Sequence, residues 1–155
     1  MIKKIYIDTS VFGGKFDTEF KAETDRFFDE LLNSNIEIVT SPVLIAEIYR
    51  APEFLIEFYE SMIRNREELV ELTKEAERLA ELYVEEKVVG RTSLNDCQHI
   101  AIATMSSADV LVSWNFKHIV NLPRIRGYNA INFREGHQMI EIRTPREIFD
   151  YGNNG

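Results

Sequence analysis

The sequence has almost none of the residues that crosslink small folds. It contains one cysteine, Cys97, so neither an internal disulfide nor a cysteine-rich zinc cluster is expected. A chain without disulfides is typical of the cytoplasm, which is therefore the expected location. No apolar run approaches about 18 residues, so a membrane-spanning helix is not expected. The first residues reach the charged Asp8 too early for a signal peptide.

Positive charge is scarce as well. The chain carries 18 Lys and Arg against 26 Asp and Glu, a formal net charge of −8. This balance argues against non-specific binding to nucleic acid through overall charge. A nucleic-acid substrate remains open, because a bound cation neutralises a local acidic cluster and a local basic patch can hold phosphates. An acidic surface also suits a basic protein partner.

The length and composition predict one folded domain. The chain has 155 residues, of which 45% are hydrophobic, which is enough for a sizeable core. We find no internal repeat, low-complexity tract or linker. The expected domain covers residues 1–150, and residues 151–155 are expected to be a frayed tail.

Short apolar strand patterns alternate with helical patterns along the chain. This alternation predicts an α/β fold with three layers, in which a central parallel sheet of four to five strands lies between helices. Residues 9–20 contain Gly13 and Gly14 and are expected to form a loop. Residues 116–133 are expected to form short helical or irregular pieces, divided by Pro123 and Gly127. The predicted strands are residues 2–7, 36–40, 69–72, 110–113 and 140–142, and the main predicted helices are residues 23–33, 42–50, 53–65, 73–87 and 93–106.

Four polar residues interrupt or follow these apolar segments. Asp8 follows the first strand, Glu47 lies within an apolar helix, Asp96 begins another helix and Asn115 follows the fourth strand. In a parallel sheet, ligands bind at the carboxyl ends of the strands, so we expect these side chains to meet there. Clustered carboxylates repel one another unless a hard cation such as Mg²⁺ binds them. Such a cation activates water and polarises a phosphoryl oxygen, which points to phosphodiester hydrolysis.

Four sequence motifs resemble those of PIN-domain nucleases, in the same order. They are IYIDTSVF at residues 5–12, SPVLIAEI at 41–48, NDCQHIAIA at 95–103 and ADVLVSWNF at 108–116. Each motif alone is weak, but the ordered set is fairly specific and covers about three quarters of the chain. Residues 140–149 also resemble the last strand and short helix of the family.

The resemblance implies a PIN-like fold and an endoribonuclease that depends on Mg²⁺ or Mn²⁺. Many small members are VapC-type toxins of type II toxin–antitoxin pairs, so RNA and an antitoxin protein are the implied partners. By analogy Asp8, Glu47 and Asp96 are the metal ligands, and Ser10 and Ser113 support the pocket. The catalytic set is completed by Asn115. Apart from the resemblance, Lys117, His118, Arg124 and Arg126 are candidate RNA contacts near the pocket, and a solvated surface role is the open alternative for them.

Asn115 departs from the family pattern, which usually has a fourth acid at this position. Its carbonyl can still ligate a cation, but the pocket carries one less negative charge. This departure motivates an alternative function, in which the chain is a catalytically impaired PIN-like domain that binds a protein or a nucleic acid.

Simpler roles for the same residues remain open. Asp8 can cap a turn, Asp96 can form a capping box with Ser93, and Glu47 can point outward. Asn115 can cap a helix that begins at residue 116. A phosphatase or receiver-like domain that uses Asp8 as a nucleophile is disfavoured, because no second acid follows two residues later.

Two further expectations concern residues outside the acidic set. His99 lies on the same predicted helix as Asp96, and we expect a core or surface role for it. Two predicted helices carry more aromatic residues than a small core is expected to cover, which predicts a homodimer or an antitoxin groove there. These aromatic residues are Phe27, Phe28, Phe54, Phe58 and Tyr59.

Overall fold

The computed structural model describes residues 1–63 and 65–150, and the predicted tail at 151–155 lies outside them. Strands and helices alternate along this part of the chain. No helix within it is long and apolar enough to cross a membrane. The strands are β1 (Lys4–Ile7), β2 (Glu37–Thr40), β3 (Glu67–Leu69), β4 (Val110–Val112) and β5 (Glu141–Arg143). The helices are α1 (Thr9–Gly14), α2 (Lys21–Leu32), α3 (Pro42–Tyr49), α4 (Glu53–Ile63), α5 (Lys74–Glu85), α6 (Leu94–Met105), α7 (Leu122–Arg134) and α8 (Pro145–Asp150), with a single 3-10 turn at Arg91–Ser93 before α6.

The five strands form one sheet in the order β3-β2-β1-β4-β5. Every neighbouring pair is parallel. The predicted α/β fold with a central parallel sheet is therefore confirmed. Strands β1 and β4 are adjacent, with Ile7 opposite Val112, so the residues that follow them lie side by side at the carboxyl edge.

Helices cover both faces of the sheet because alternate strand residues point to opposite sides. Tyr6 and Leu111 face a core shared with α5, α6 and α7. Ile5, Ile7 and Val112 face a second core shared with α1, α2, α3 and α4. These central residues are fully buried, as expected for parallel strands that are covered on both faces.

The prediction of a loop over residues 9–20 was wrong in its first half. Helix α1 begins directly after Asp8 and buries Val11, Phe12 and Gly14. A double glycine normally disfavours a helix, but here the packing requires the second of the two, Gly14. A Cβ on Gly14 would lie 2.6 Å from Thr24 Oγ1 and 2.8 Å from Trp114 Nε1. Gly14 therefore reflects close packing within a helix rather than a loop.

This close packing makes a testable prediction about Gly14→Ala. The methyl group would push apart the hydrogen bond from Trp114 Nε1 to Thr24 Oγ1, which is 3.0 Å long. We expect a loss of roughly 2 kcal/mol or more in the free energy of unfolding. Gly13→Ala is the matched control, because its Cβ would meet only Leu55 Cδ1 at 3.9 Å.

Chemical denaturation measures both variants, and the emission of Trp114, the single tryptophan, reports on the local packing. Gly13→Ala should be neutral or stabilise by up to about 1 kcal/mol through helix propensity. Equal stability of the two variants would contradict the assignment of Gly14 to a close contact.

The segment at residues 116–133 also differs from its prediction, because its second half is the continuous helix α7. The Asn121 side chain accepts a hydrogen bond from the Arg124 amide, and Pro123 lies in the first turn, where proline is favoured. Gly127 does not break the helix. Its missing side chain instead allows close contact with Val88, which follows α5 in the sequence. A Cβ there would lie 2.9 Å from a Val88 methyl carbon.

Strand β3 begins earlier than the predicted residues 69–72. Its partner β2 places Thr40 opposite Leu69, and Leu69 is itself exposed on this edge strand. The apolar residues that suggested a later strand, Val70 and Leu72, pack against the core after the strand has ended. The apolar residues in the connection between β3 and α5 therefore resemble the sequence pattern of a strand, although they pack against the core without forming one.

The aromatic residues predicted to form an interface are mostly in the core. Of the five, only Phe54 is exposed, and the others, which belong to α2 and α4, pack in the same core cluster. Phe28, for example, stands edge-to-face with Phe58 at a centroid distance of 5.2 Å. The stated basis for a homodimer was therefore wrong, and the homodimer itself stays a prediction for light scattering to test.

Candidate active site

Asp8 lies at the centre of the carboxyl edge of the sheet and is buried to 3% exposure. Its Oδ1 accepts a hydrogen bond from Ser10 Oγ, and its Oδ2 accepts one from Ser113 Oγ, both at 2.6 Å. Ser113 follows β4, the neighbour of β1, so strand pairing brings Asp8 and Ser113 together. Two hydroxyl groups therefore fix the orientation of a buried carboxylate.

Glu47 approaches the same edge from helix α3. This helix starts directly after β2, with Ser41 as its cap and Pro42 in its first turn. Glu47 Oε2 accepts a hydrogen bond from Thr9 Oγ1 at 2.9 Å, and Oε1 lies 2.6 Å from His99 Nε2. The alternative in which Glu47 points outward is therefore not adopted, since its carboxylate turns toward Thr9 on α1 and His99 on α6.

His99 continues this contact into the core. Its ring is 2% exposed, and Nδ1 lies 2.6 Å from the hydroxyl group of Tyr6 on β1. The Tyr6 hydroxyl in turn lies 2.7 Å from Ser41 Oγ. Sequence reasoning assigned no site role to His99, Tyr6 or Thr9, although each contributes to the arrangement around Glu47.

Asp96 and Asn115 complete the acidic edge. Asp96 lies in the first turn of α6, and its Oδ2 is 3.4 Å from Asn115 Nδ2. Asn115 Oδ1 accepts hydrogen bonds from the amides of Lys117 and His118, at 3.2 and 3.0 Å. The side-chain oxygen of Asn115 thus caps the turn after β4, and its amide nitrogen donates to Asp96.

The capping alternatives are resolved differently for each residue. Asp8 precedes α1 but makes no side-chain cap, and Ser93 makes none for α6. The alternative role of Asp96 in a capping box with Ser93 is therefore not adopted. Asn115 does bind two following amides, but a turn follows it instead of the expected helix, and α7 begins only at Leu122.

The electrostatics of the three acids are unequal. Burial raises the pKa of Asp8, while the charge of His99 and the two serine hydrogen bonds oppose the rise. Burial also raises the pKa of Asp96, with a smaller contribution from Glu47. Burial raises the pKa of Glu47 too, but His99 and Thr9 outweigh it, so the net pKa is lowered. The surroundings of Glu47 therefore favour its ionised form, whereas ionisation of Asp8 and Asp96 has an electrostatic cost.

The donor set suits a hard cation, although it is not a closed metal cage. Within residues 1–63 and 65–150, no group of three or more His, Cys, Asp or Glu is arranged to hold one metal ion together. Mg²⁺, however, usually binds through one or two carboxylates and keeps several waters. Each carboxylate offers about four lone-pair sites, and protein donors use two on Asp8 and two on Glu47. Oxygen sites remain for an ion, which fits the chemistry of Mg²⁺ or Mn²⁺.

The predicted RNA contacts are placed at different depths. Lys117 and Arg126 are exposed, whereas His118 and Arg124 are half-buried. Arg124 Nη1 donates to the carbonyl oxygen of Val88 at 2.6 Å, so its head group is held on α7's inner side. His118 lies near Asp96 and its charge lowers the pKa of that acid. Contact with RNA stays a prediction for all four.

The chain is similar to known proteins at two levels. The family model described as PIN domain matches residues 5–116. No curated protein sequence is significantly similar to the chain. The similar solved structures are so distant in sequence that they show the fold alone.

Three of these solved structures illustrate the match. VapBC2 from Rickettsia felis, bound to a DNA fragment from their promoter, is 15% identical with a TM-score of 0.58, over 91% of this chain and 98% of that chain. VapC20 from Mycobacterium tuberculosis, a Sarcin-Ricin loop cleaving toxin, is 12% identical with a TM-score of 0.58, over 73% and 91%. FitAcB from Neisseria gonorrhoeae is 12% identical with a TM-score of 0.58, over 93% and 99%.

Proposed function

The chain belongs to the PIN domain family, and from that premise we propose that it is a Mg²⁺- or Mn²⁺-dependent endoribonuclease. The observation that carries the proposal is the buried Asp8, whose charge is repelled by that of Asp96, which is in turn repelled by that of Glu47. Such a cluster is unfavourable without a cation, and the oxygen donors suit one. An acidic chain also needs a cation to accept a phosphodiester.

Each residue has a distinct role in this proposal. A bound divalent ion supplies Lewis-acid stabilisation and lowers the pKa of a water nucleophile. Asp8, Glu47 and Asp96 would hold the ion, and Ser10 and Ser113 keep Asp8 oriented by hydrogen bonds of 2.6 Å. Glu47 adds an ionised carboxylate whose position is set by Thr9 and His99.

The biological setting is proposed by analogy with the similar structures. The Rickettsia protein is described as a VapBC pair on promoter DNA, and the Mycobacterium protein as a toxin that cleaves the Sarcin-Ricin loop. We therefore propose that this chain is a VapC-like toxin that acts on RNA in the cytoplasm and is held by an antitoxin protein. Co-purification with the product of a neighbouring gene tests the partner.

A second function rests on Asn115. The amide at this position lowers the negative charge of the edge and donates to Asp96. A protein with such an edge binds a cation less tightly than one with a fourth acid. The second candidate is therefore a PIN domain without useful catalysis that binds a protein or a nucleic acid.

A metal-dependence assay tests the proposed function. Purified chain is incubated with single-stranded and structured RNA in Mn²⁺, in Mg²⁺ and in chelator, with DNA of the same sequence as a control. We expect RNA cleavage with either ion and none in chelator. Binding of RNA without cleavage in either ion would support the second candidate instead.

A further inference from the structure

One buried hydrogen-bonded chain joins the elements that carry the acids. It runs from Ser41 through Tyr6 and His99 to Glu47, with steps of 2.7, 2.6 and 2.6 Å. Tyr6 is in β1, which ends next to Asp8, and His99 is in α6, three residues after Asp96. Except for Glu47, the members of this chain are almost fully buried.

The positions of the protons along this series of hydrogen bonds can be assigned from the groups on either side of His99, which are Tyr6 and Glu47. Burial raises the pKa of Tyr6, so its hydroxyl group stays protonated. When Tyr6 donates to Nδ1 of a neutral His99 ring, the ring proton resides on Nε2 and points to Glu47. When the ring is protonated, both nitrogens donate and Tyr6 donates to Ser41 instead. In either state the Nε2 proton is directed at Glu47 Oε1.

The opposite tautomer is excluded by the acid it would face. A lone pair on Nε2 would lie 2.6 Å from Oε1, which requires a protonated Glu47. Glu47 is partly exposed to solvent and its other oxygen already accepts a hydrogen bond from Thr9 Oγ1, which is the environment of an ionised carboxylate. The hydrogen bond from His99 to Glu47 is therefore charge-assisted, which is the stronger class of hydrogen bond.

We propose that His99 is a positioning residue that holds the Glu47 carboxylate toward the metal pocket, with Tyr6 and Ser41 fixing the plane of its ring. The proposal rests on the proposed metal-dependent function. Glu47 is 27% exposed on its side chain and has flexible torsions, so it needs fixed donors to keep one orientation. Thr9 and His99 approach its two oxygens from different elements and supply those donors.

Outer partners of metal-binding carboxylates contribute to metal affinity even though they do not touch the ion. Loss of such a partner typically lowers metal affinity or activity by about 10–100-fold. A histidine that only fills the core would affect stability and leave metal affinity unchanged. The two roles are therefore separable by experiment.

The decisive pair of variants is His99→Gln and His99→Asn. The amide nitrogen of Gln reaches roughly the position of Nε2, so it can still donate to Glu47, whereas the shorter Asn reaches roughly the position of Nδ1. Both remove the ring and leave a polar group in the core. Thr104→Val serves as a control, because Thr104 is a buried hydroxyl of the same helix that contacts Ile100 and Asn132 and not the acids.

Mn²⁺ affinity is measured by electron paramagnetic resonance, together with kcat and KM for RNA cleavage. We expect His99→Asn to weaken Mn²⁺ binding and lower kcat by about 10–100-fold with KM for RNA little changed. His99→Gln should recover most of the loss, and Thr104→Val should bind Mn²⁺ like the wild type. Equal Mn²⁺ affinity of His99→Gln and His99→Asn would overturn the proposal.

A measurement on the wild-type protein covers the case in which the variants do not fold. Nitrogen-15 NMR of the three histidines should show one ring with a proton on Nε2 and a far-downfield proton resonance. A ring of His99 that carries no Nε2 proton overturns the proposal. A wild type that binds no Mn²⁺ overturns it too, whereas Mn²⁺ binding without RNA cleavage overturns only the proposed function.

Discussion

Asp8→Asn is expected to melt at a higher temperature than the wild type in metal-free buffer at neutral pH, and to lose RNA cleavage. Asp8 is buried to 3% exposure and its pKa is raised by that burial. Ionised Asp8 therefore destabilises the metal-free fold, and a neutral amide of the same shape removes this cost. The same change removes a proposed metal ligand, so cleavage should fall by at least about 100-fold.

The pH dependence has a defined sign. Because the folded pKa of Asp8 lies above the unfolded value of about 3.9, its contribution is most favourable at acid pH and is lost as pH rises through the folded pKa. Asp8→Asn should therefore show its largest gain in stability above that pH and little gain below about pH 4. The asparagine leaves one serine hydroxyl to reorient, which reduces the gain.

Thermal unfolding across this pH range, with chelator present, measures the effect. Asp29→Asn is the matched control, because Asp29 is an exposed carboxylate on α2, remote in sequence from the pocket motifs. It should change neither stability nor cleavage appreciably. A less stable Asp8→Asn at neutral pH would mean that the serines and His99 already compensate the buried charge, and the electrostatic reason for a cation would fail.

Asn115→Asp is expected to strengthen metal binding and to raise cleavage. Its new carboxylate oxygen would still accept from the amides of Lys117 and His118, as the present carbonyl does. The lost Nδ2 donor would be replaced by an oxygen near Asp96, now 3.4 Å away. Without metal this repulsion destabilises the fold, and with metal the added charge attracts the ion. At an effective dielectric constant near 20, one charge at 4 Å is worth about 4 kcal/mol, so a gain of tenfold or more, about 1.4 kcal/mol, is expected.

Calorimetric titration with Mn²⁺ and thermal unfolding with and without the ion measure this change. Asn121→Asp is the control, because it adds the same charge at the cap of α7 without touching an acid. The increase of melting temperature on adding Mn²⁺ should be larger in Asn115→Asp than in the wild type or the control. A wild type that already cleaves RNA robustly, with no gain in Asn115→Asp, would remove the argument for an impaired centre.

The parts of the fold that sequence could predict are those where local pattern and tertiary position agree. Asp8 and Asn115 follow apolar strands, and parallel pairing of β1 with β4 places such residues together. Glu47 follows a Ser-Pro helix start that the structure reproduces. Where a glycine serves a packing need, as at Gly14 and Gly127, local propensity pointed to a break that does not exist.

His99 was beyond the reach of sequence for a different reason. Its partners Glu47 and Tyr6 are 52 and 93 residues away, so no spacing rule connects them. The available signal was indirect, since a tyrosine in the middle of a buried strand needs a hydrogen-bond partner for its hydroxyl group. Long-range partners of this kind are visible only once the sheet order is known.

The central claim is that Asp8, Glu47 and Asp96 form the centre of a metal-dependent ribonuclease. The most direct test is the rate of Mn²⁺-dependent RNA cleavage by the wild type and by the Asp8→Asn/Asp96→Asn double variant, purified in parallel. We predict cleavage by the wild type and none above the chelator background by a folded double variant. Equal cleavage by the two proteins would contradict the claim, because the activity would then come from elsewhere.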